Sequence, residues 1–186
     1  TSSLTQNTTT AFLAGVSLVQ TIAALKSTDT RTARANAIGA SICLIAFWHY
    51  ERMRGASDVE KTLLRYGDWI VTCPLLLLEL QEMTTGEDRW TLGAVVMMIL
   101  LGLRAKQTRG AERHALFGVS TLILVAIVLA TVRGARKNRE LVVAFFAVWS
   151  LYPVAFLLDD ARGNQAFDVL DAVSKGLFGL YVAHTV

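Results

Sequence analysis

Lys175 and Asp171 stand four residues apart within one apolar stretch, and Asp68 and Glu79 stand eleven apart within another. An i, i+4 pair on a helix sets the carboxylate one turn from the amine. At membrane depth, desolvation makes an ordinary salt bridge a weak source of stability. The pair therefore reads either as a structural ion pair or as a lysine able to lose its proton and condense with an aldehyde as a Schiff base. The other stretch, Arg65-Tyr-Gly-Asp-Trp-Ile-Val-Thr-Cys-Pro-Leu-Leu-Leu-Leu-Glu79, carries Arg65, Asp68 and Glu79 in what reads as a single membrane-spanning helix. Asp68 to Thr72 is about one turn. At ~100° per residue, Asp68 and Glu79 return to within ~20° of the same face, ~16 Å apart along the axis. Ionisable groups at this depth are costly unless partnered, so a shared stripe of carboxylates marks an ion or proton path. Glu79 lies among leucines, which favours its neutral form and suits it to donating a proton.

These groups need helices in a bilayer to position them. The chain has 186 residues, 53% hydrophobic and 18% charged, with a mean hydropathy of +0.45, whereas soluble domains carry roughly 25% charge. Apolar stretches of spanning length recur at about 9–26, 35–53, 63–82, 91–105, 115–133, 140–158 and 167–185. The expected fold is an all-α membrane protein, a seven-transmembrane-helix bundle, with residues 1–186 forming one domain. Short loops make sequence neighbours antiparallel neighbours in space. A net charge of +3 without a basic, aromatic-interleaved patch argues against nucleic acid as a partner. Cys43 and Cys73 lie in apolar segments and read as small buried hydrophobes, not a disulfide. No metal site is expected. No secretory presequence opens the chain, and Asn7-Thr8-Thr9 reads as an idle glycosylation acceptor.

Further polar residues attend the stripe. Gln20 is nearly alone in the first span. His49 ends the second, level with Arg65 and Asp68 if the two helices run antiparallel, and reads as a core residue or as a partner tuning Asp68. In the sixth span, Pro153 permits a kink, and Trp149, Tyr152 and Phe156 share a broad face that is either plain core or the wall of a cofactor site. Charge counting leaves orientation open. With the amino terminus outside, Lys26, Arg31, Arg34, Arg89, Arg133, Arg136, Lys137 and Arg139 fall inside, against Arg52, Arg54, Lys61, Arg104, Lys106, Arg109, Arg113 and Arg162 outside.

Arg65-Tyr-Gly-Asp68-Trp69-x-x-Thr72-x-Pro74, Trp149-x-x-Tyr152-Pro153 and Asp171-x-x-x-Lys175 together resemble the microbial (type 1) rhodopsin pattern, in the order and on the helices that family uses. Phe47-Trp48-His49-Tyr50 and the Asp68, Thr72, Glu79 triplet resemble its proteorhodopsin-like proton pumps. The resemblance implies a light-driven transporter, not an enzyme. Lys175 would hold all-trans retinal as a protonated Schiff base, with Asp68 as counterion and proton acceptor and Asp171 as second counterion. Arg65, Tyr50 and Thr72 would complete the counterion network, with His49 bonded to Asp68. Glu79 would be the cytoplasmic proton donor. Trp69, Met98, Gly102, Phe117, Ser120, Thr121, Leu124, Trp149, Tyr152 and Phe156 match positions lining the retinal pocket. The family also implies a multi-pass protein of the plasma membrane with its amino terminus outside. Its partners would be lipid, protons and copies of itself, as a trimer or pentamer.

The same resemblance supplies rivals. A light-gated cation channel would line its pore with Glu51, Asp68, Glu79 and Gln20, and a photosensor would signal through a partner. Anion pumps usually replace the acid at the position of Asp68. Some departures touch function. The family's extracellular release carboxylates fall near Ala161 and Gly163, with Asp159, Asp160 and Asp168 close by. Cys73 matches a channelrhodopsin cysteine, but Val95 stands where its acidic partner would be. Leu76 resembles the green-absorbing choice, Ser174 favours a blue shift, and Phe117 disfavours a carotenoid antenna.

Overall fold

The computed structural model describes residues 2–86 and 88–185. Helices α1 (Ser2–Lys26), α2 (Thr30–Met53), α3 (Asp58–Thr84), α4 (Trp90–Gln107) and α5 (Gly110–Gly134) are each unbroken. The sixth rod is split into α6 (Arg139–Trp149) and α7 (Leu151–Leu157). The seventh comprises α8 (Asp160–Asp171), a π-helical turn at Ala172–Leu177, and α9 (Phe178–His184). Seven rods thus form an all-helical bundle in which each packs on the next, and the seventh returns against α1 and α2 to close the ring.

The rods extend past the apolar stretches because polar caps continue the helices beyond them. At α2, Asp29 accepts from the Thr32 amide at 2.8 Å and the Thr32 hydroxyl at 2.7 Å, and these bonds hold its carboxyl below the usual range. At α3, Ser57 and Glu60 form a reciprocal capping box, which lowers the Glu60 carboxyl in the same way. Asp159 caps α8 by accepting from the Arg162 amide at 2.9 Å. The break in the sixth rod falls at Ser150, three residues before Pro153. A proline ring clashes with the carbonyl four residues back, here Trp149, so the disruption lies ahead of the proline.

Leu4–Lys26, Gly110–Gly134 and Arg139–Leu157 are long and apolar enough on composition alone to cross a membrane. The exterior is apolar in the lipid-facing manner, with Leu18 63%, Leu122 69% and Val143 58% exposed. Polar groups instead fill the interior, where Gln20, Asp68, Thr72, Glu79, Asp171 and Lys175 are buried. One apolar cluster runs from α2 through α9, and a smaller one joins α1 and α2 around Leu13, Val16, Cys43 and Tyr50. Both cysteines are free thiols.

Candidate functional site

Lys175 sits in the π-helical turn, where one extra residue per turn re-aims its side chain toward α3. Such turns recur at functional sites. Nothing in the residue types of Ala172–Leu177 announces the bulge. Lys175 Nζ hydrogen-bonds Asp68 Oδ2 and lies 3.3 Å from Asp171 Oδ2, with all three side chains buried. The i, i+4 pair on the seventh rod and the stripe on α3 therefore meet at one nitrogen.

The two carboxylates differ in what else they hold. Asp171 accepts from the Tyr50 hydroxyl at 2.9 Å, the Tyr152 hydroxyl at 2.7 Å and Trp69 Nε1 at 3.1 Å. Ser174 Oγ stands 2.8 Å from the Tyr152 oxygen and donates to it, since Tyr152 gives its own proton to Asp171. Asp68 has only Lys175 on Oδ2, and its buried Oδ1 accepts no hydrogen bond from the described residues. Thr72 Oγ1 donates to the Asp68 backbone carbonyl at 2.9 Å, not to the carboxylate.

His49 departs from expectation. Its Nδ1 donates to the Ile45 carbonyl at 3.0 Å, one turn back on its own helix, and it makes no hydrogen bond to Asp68. Its Nε2 reaches α3 at Gly67, where a Cβ would lie 3.8 Å away. The level on α3 is thus as expected, but the ring is pinned by its own backbone. Glu51, at the same end, pairs with Arg54 at 2.8 Å near the surface.

Arg65 donates through Nη1 to Tyr50 at 3.0 Å and through Nη2 to Asp168 Oδ1 at 2.7 Å, and stands 3.8 Å from Asp171. Sequence reasoning left Asp168 out of the site. The signal was available: Asp168, Asp171 and Lys175 follow at i, i+3 and i+7, one face of a helix. Beside Arg65 a cleft lined by Asp58, Thr62, Lys106, Asp160 and Asn164 lies at the end of the bundle that carries the amino terminus.

On the other side of Lys175, an apolar slot runs between α3, α4, α5 and the sixth rod. All the residues expected to line a chromophore pocket face it: Trp69, Met98, Gly102, Phe117, Ser120, Thr121, Leu124, Trp149, Tyr152 and Phe156. Tyr66, Ile99 and Phe167, unanticipated, line it too. Phe117 stacks on Phe156 with centroids 4.8 Å apart and planes 15° apart. The slot ends at Lys175, so a long apolar aldehyde would lie among aromatic rings with its carbonyl at the amine and the Asp68 carboxylate beside it. The residues present fit retinal.

Beyond Lys175 toward the opposite end, Glu79 is buried and its Oε1 accepts from Gln20 Nε2 of α1 at 3.0 Å. Leu76, Leu77 and Leu80 are buried around it on α3.

A ring of seven helices enclosing a lysine–carboxylate centre at the end of an aromatic slot defines a membrane-embedded retinal-type protein. The model of the bacteriorhodopsin-like protein family matches residues 1–186, and the chain belongs to that family. Its members are light-driven transporters, and membership implies a retinal chromophore. Among solved structures, the viral rhodopsin OLPVRII superposes with a TM-score of 0.89 at 22% identity, covering 98% of this chain and 95% of that one. The thermophilic rhodopsin from Rubrobacter xylanophilus gives 0.87 at 23%, covering 100% and 96%. The light-driven proton pump rhodopsin of Coccomyxa subellipsoidea gives 0.83 at 22%, covering 98% and 96%. No curated protein sequence matches the chain closely enough to count as a relative.

Proposed function

We propose that the chain is a light-driven outward proton pump of the plasma membrane, with its amino terminus outside and all-trans retinal as chromophore. Lys175 Nζ would hold retinal, which would supply light absorption and an isomerisation that re-aims that nitrogen. The chain's own residues supply the proton path.

Both Asp68 and Asp171 neutralise the charge at Lys175 Nζ, but they are unequal as acceptors. Protonating Asp171 would weaken hydrogen bonds from Tyr50, Trp69 and Tyr152, and bonds to a charged acceptor are worth ~1.5–3 kcal/mol each. Protonating Asp68 displaces no donor among the described residues other than Lys175 Nζ itself. The proton leaving Lys175 Nζ therefore goes to Asp68. This inequality is the observation that carries the proposal.

Direction follows from what flanks the pair. Glu79 holds a proton in an apolar half and returns it to Lys175 Nζ from the cytoplasmic side. Arg65, paired with Asp168, lines the cleft at the amino-terminal end, through which the proton at Asp68 leaves. Cells supplied with retinal test the reading under illumination. An unbuffered medium should acidify, an uncoupler should abolish the change, and the photocurrent should keep one sign across voltage. A current that reverses at an ion's equilibrium potential would assign a channel instead.

A further inference from the structure

Glu79 has one hydrogen-bonding partner among the described residues, and it comes from a helix that carries none of the family-type signature. Gln20 is fully buried in α1, and the backbone around it is cut back to admit it. A Cβ on Gly39 would come within 1.9 Å of Gln20 Nε2 and 2.3 Å of Glu79 Oε1, and one on Gly179 within 2.6 Å of Gln20 Oε1. Cys43 Sγ stands 3.7 Å from Gln20 Oε1 and 3.8 Å from the Lys175 carbonyl oxygen. Its single S–H serves one of those acceptors at a time.

We propose that Gln20 is the positioning residue of the proton donor, linked through Cys43 to the π-helical turn that carries Lys175. The inference rests on the pump reading above and deepens it. A carboxamide is donor and acceptor in one planar group. Its N–H₂ holds Glu79 when the acid is ionised. After a half-turn of the amide, its carbonyl accepts the O–H of Glu79 when the acid is neutral. A leucine at this place would serve neither state, and a lysine only the ionised one. When the proton leaves the Glu79 carboxyl for Lys175 Nζ, an anion is left among leucines until a proton arrives from the aqueous phase. The Gln20 N–H is the group in place to stabilise it. A shift of the Lys175 carbonyl changes which acceptor the Cys43 thiol serves, and so changes how firmly the Gln20 amide is held.

The test uses Gln20→Met, similar in volume and without the amide. The infrared C=O stretch of neutral Glu79, identified by its loss in Glu79→Gln, can be read in the dark and without retinal. It should move to higher wavenumber in Gln20→Met. After a flash, reprotonation of the Lys175 nitrogen should slow by about tenfold or more, the loss of one hydrogen bond to a charged group. In the Glu79→Gln background, Gln20→Met should add no further slowing. An unmoved stretch, or equal slowing in that background, overturns the proposal. If Gln20→Met does not fold, Gln20→Asn keeps the polarity but withdraws the amide by one methylene, and the same shift or its absence decides. Failure of the unsubstituted protein to colour with retinal defeats the pump reading instead, and the dark infrared band still decides whether Gln20 holds Glu79.

Discussion

The two halves of the bundle on either side of Lys175 handle buried acids in opposite ways. Toward the amino-terminal end, Asp171, Asp168 and Arg65 sit in a dense polar network tied by Tyr50, Tyr152 and Trp69 and opening onto a cleft. Toward the other end, Glu79 stands among leucines with the single amide of Gln20. Saturating a carboxylate with donors stabilises its charge, and stripping it of them favours its proton. A bundle that does the first on one side of an amine and the second on the other can take a proton from one side and release it on the opposite one. In the proposed pump the difference between the halves is the directional element, and Asp68 lies at the seam with one oxygen bonded to Lys175 and the other accepting no hydrogen bond from the described residues.

The largest effect should come from removing the nitrogen shared by the two halves. Lys175→Ala leaves Asp68 and Asp171 without their amine, and the expected outcome is a protein that stays colourless with retinal, read directly by its absorption spectrum. Next, Asp68→Asn should keep the pigment, move its band to longer wavelength and stop light-driven acidification. Persistent transport would mean that the network around Asp171 takes the proton after all.

Glu79→Gln attacks the dry half alone. Proton transfer to Asp68 should be unchanged, while reprotonation slows by ~10²-fold or more, the usual range for a lost general acid. Because the proton must then arrive from water, the remaining rate should fall as pH rises, in proportion to proton concentration. A pH-independent decay of native speed would remove Glu79 from the path. In the wet half, Asp168→Ala takes the 2.7 Å partner from a buried guanidinium, which costs about 3–5 kcal/mol and should show as a lowered Tm. The exposed Arg34–Glu82 pair, at 3.0 Å with Arg34 58% exposed, provides the control, since breaking it should cost less than about 1 kcal/mol.

How much of this was legible in the sequence follows the same division. The α3 stripe could be read because helical periodicity and membrane cost are local rules, and so could the Asp171–Lys175 pair. The chromophore slot was legible because apolar and aromatic residues fall on inward faces. The π-helical turn was not, since Ala172–Leu177 holds no residue that a bulge requires. Nor was Gln20's contact with Glu79, which spans fifty-nine positions and depends on glycines from two other helices. His49 shows the limit of reading by level. Its depth relative to Asp68 follows from antiparallel packing, but its ring nitrogen has a carbonyl at Ile45 within reach, and the local bond forms. Asp168 was noted only as lying near the expected release carboxylates, because it falls outside the family-type signature, although its spacing from Asp171 and Lys175 places it on their face.

The smallest expected effect sharpens the comparison where the halves meet. Ser174 Oγ donates to Tyr152, which donates to Asp171, so the hydroxyl completes a chain ending on the saturated acid. Ser174→Ala removes one neutral hydrogen bond and should cost about 1 kcal/mol, a small drop in Tm beside that of Asp168→Ala. The hydroxyl also lies next to the charged nitrogen in sequence and favours positive charge held there. Without it the charge spreads along the chromophore, and the absorption band should move to longer wavelength by less than in Asp68→Asn. Proton transfer to Asp68 should be untouched, because Ser174 acts on the carboxylate that does not accept. Slowed transfer in Ser174→Ala would mean that Asp171 and Asp68 share the proton, and the division of roles between them would fall.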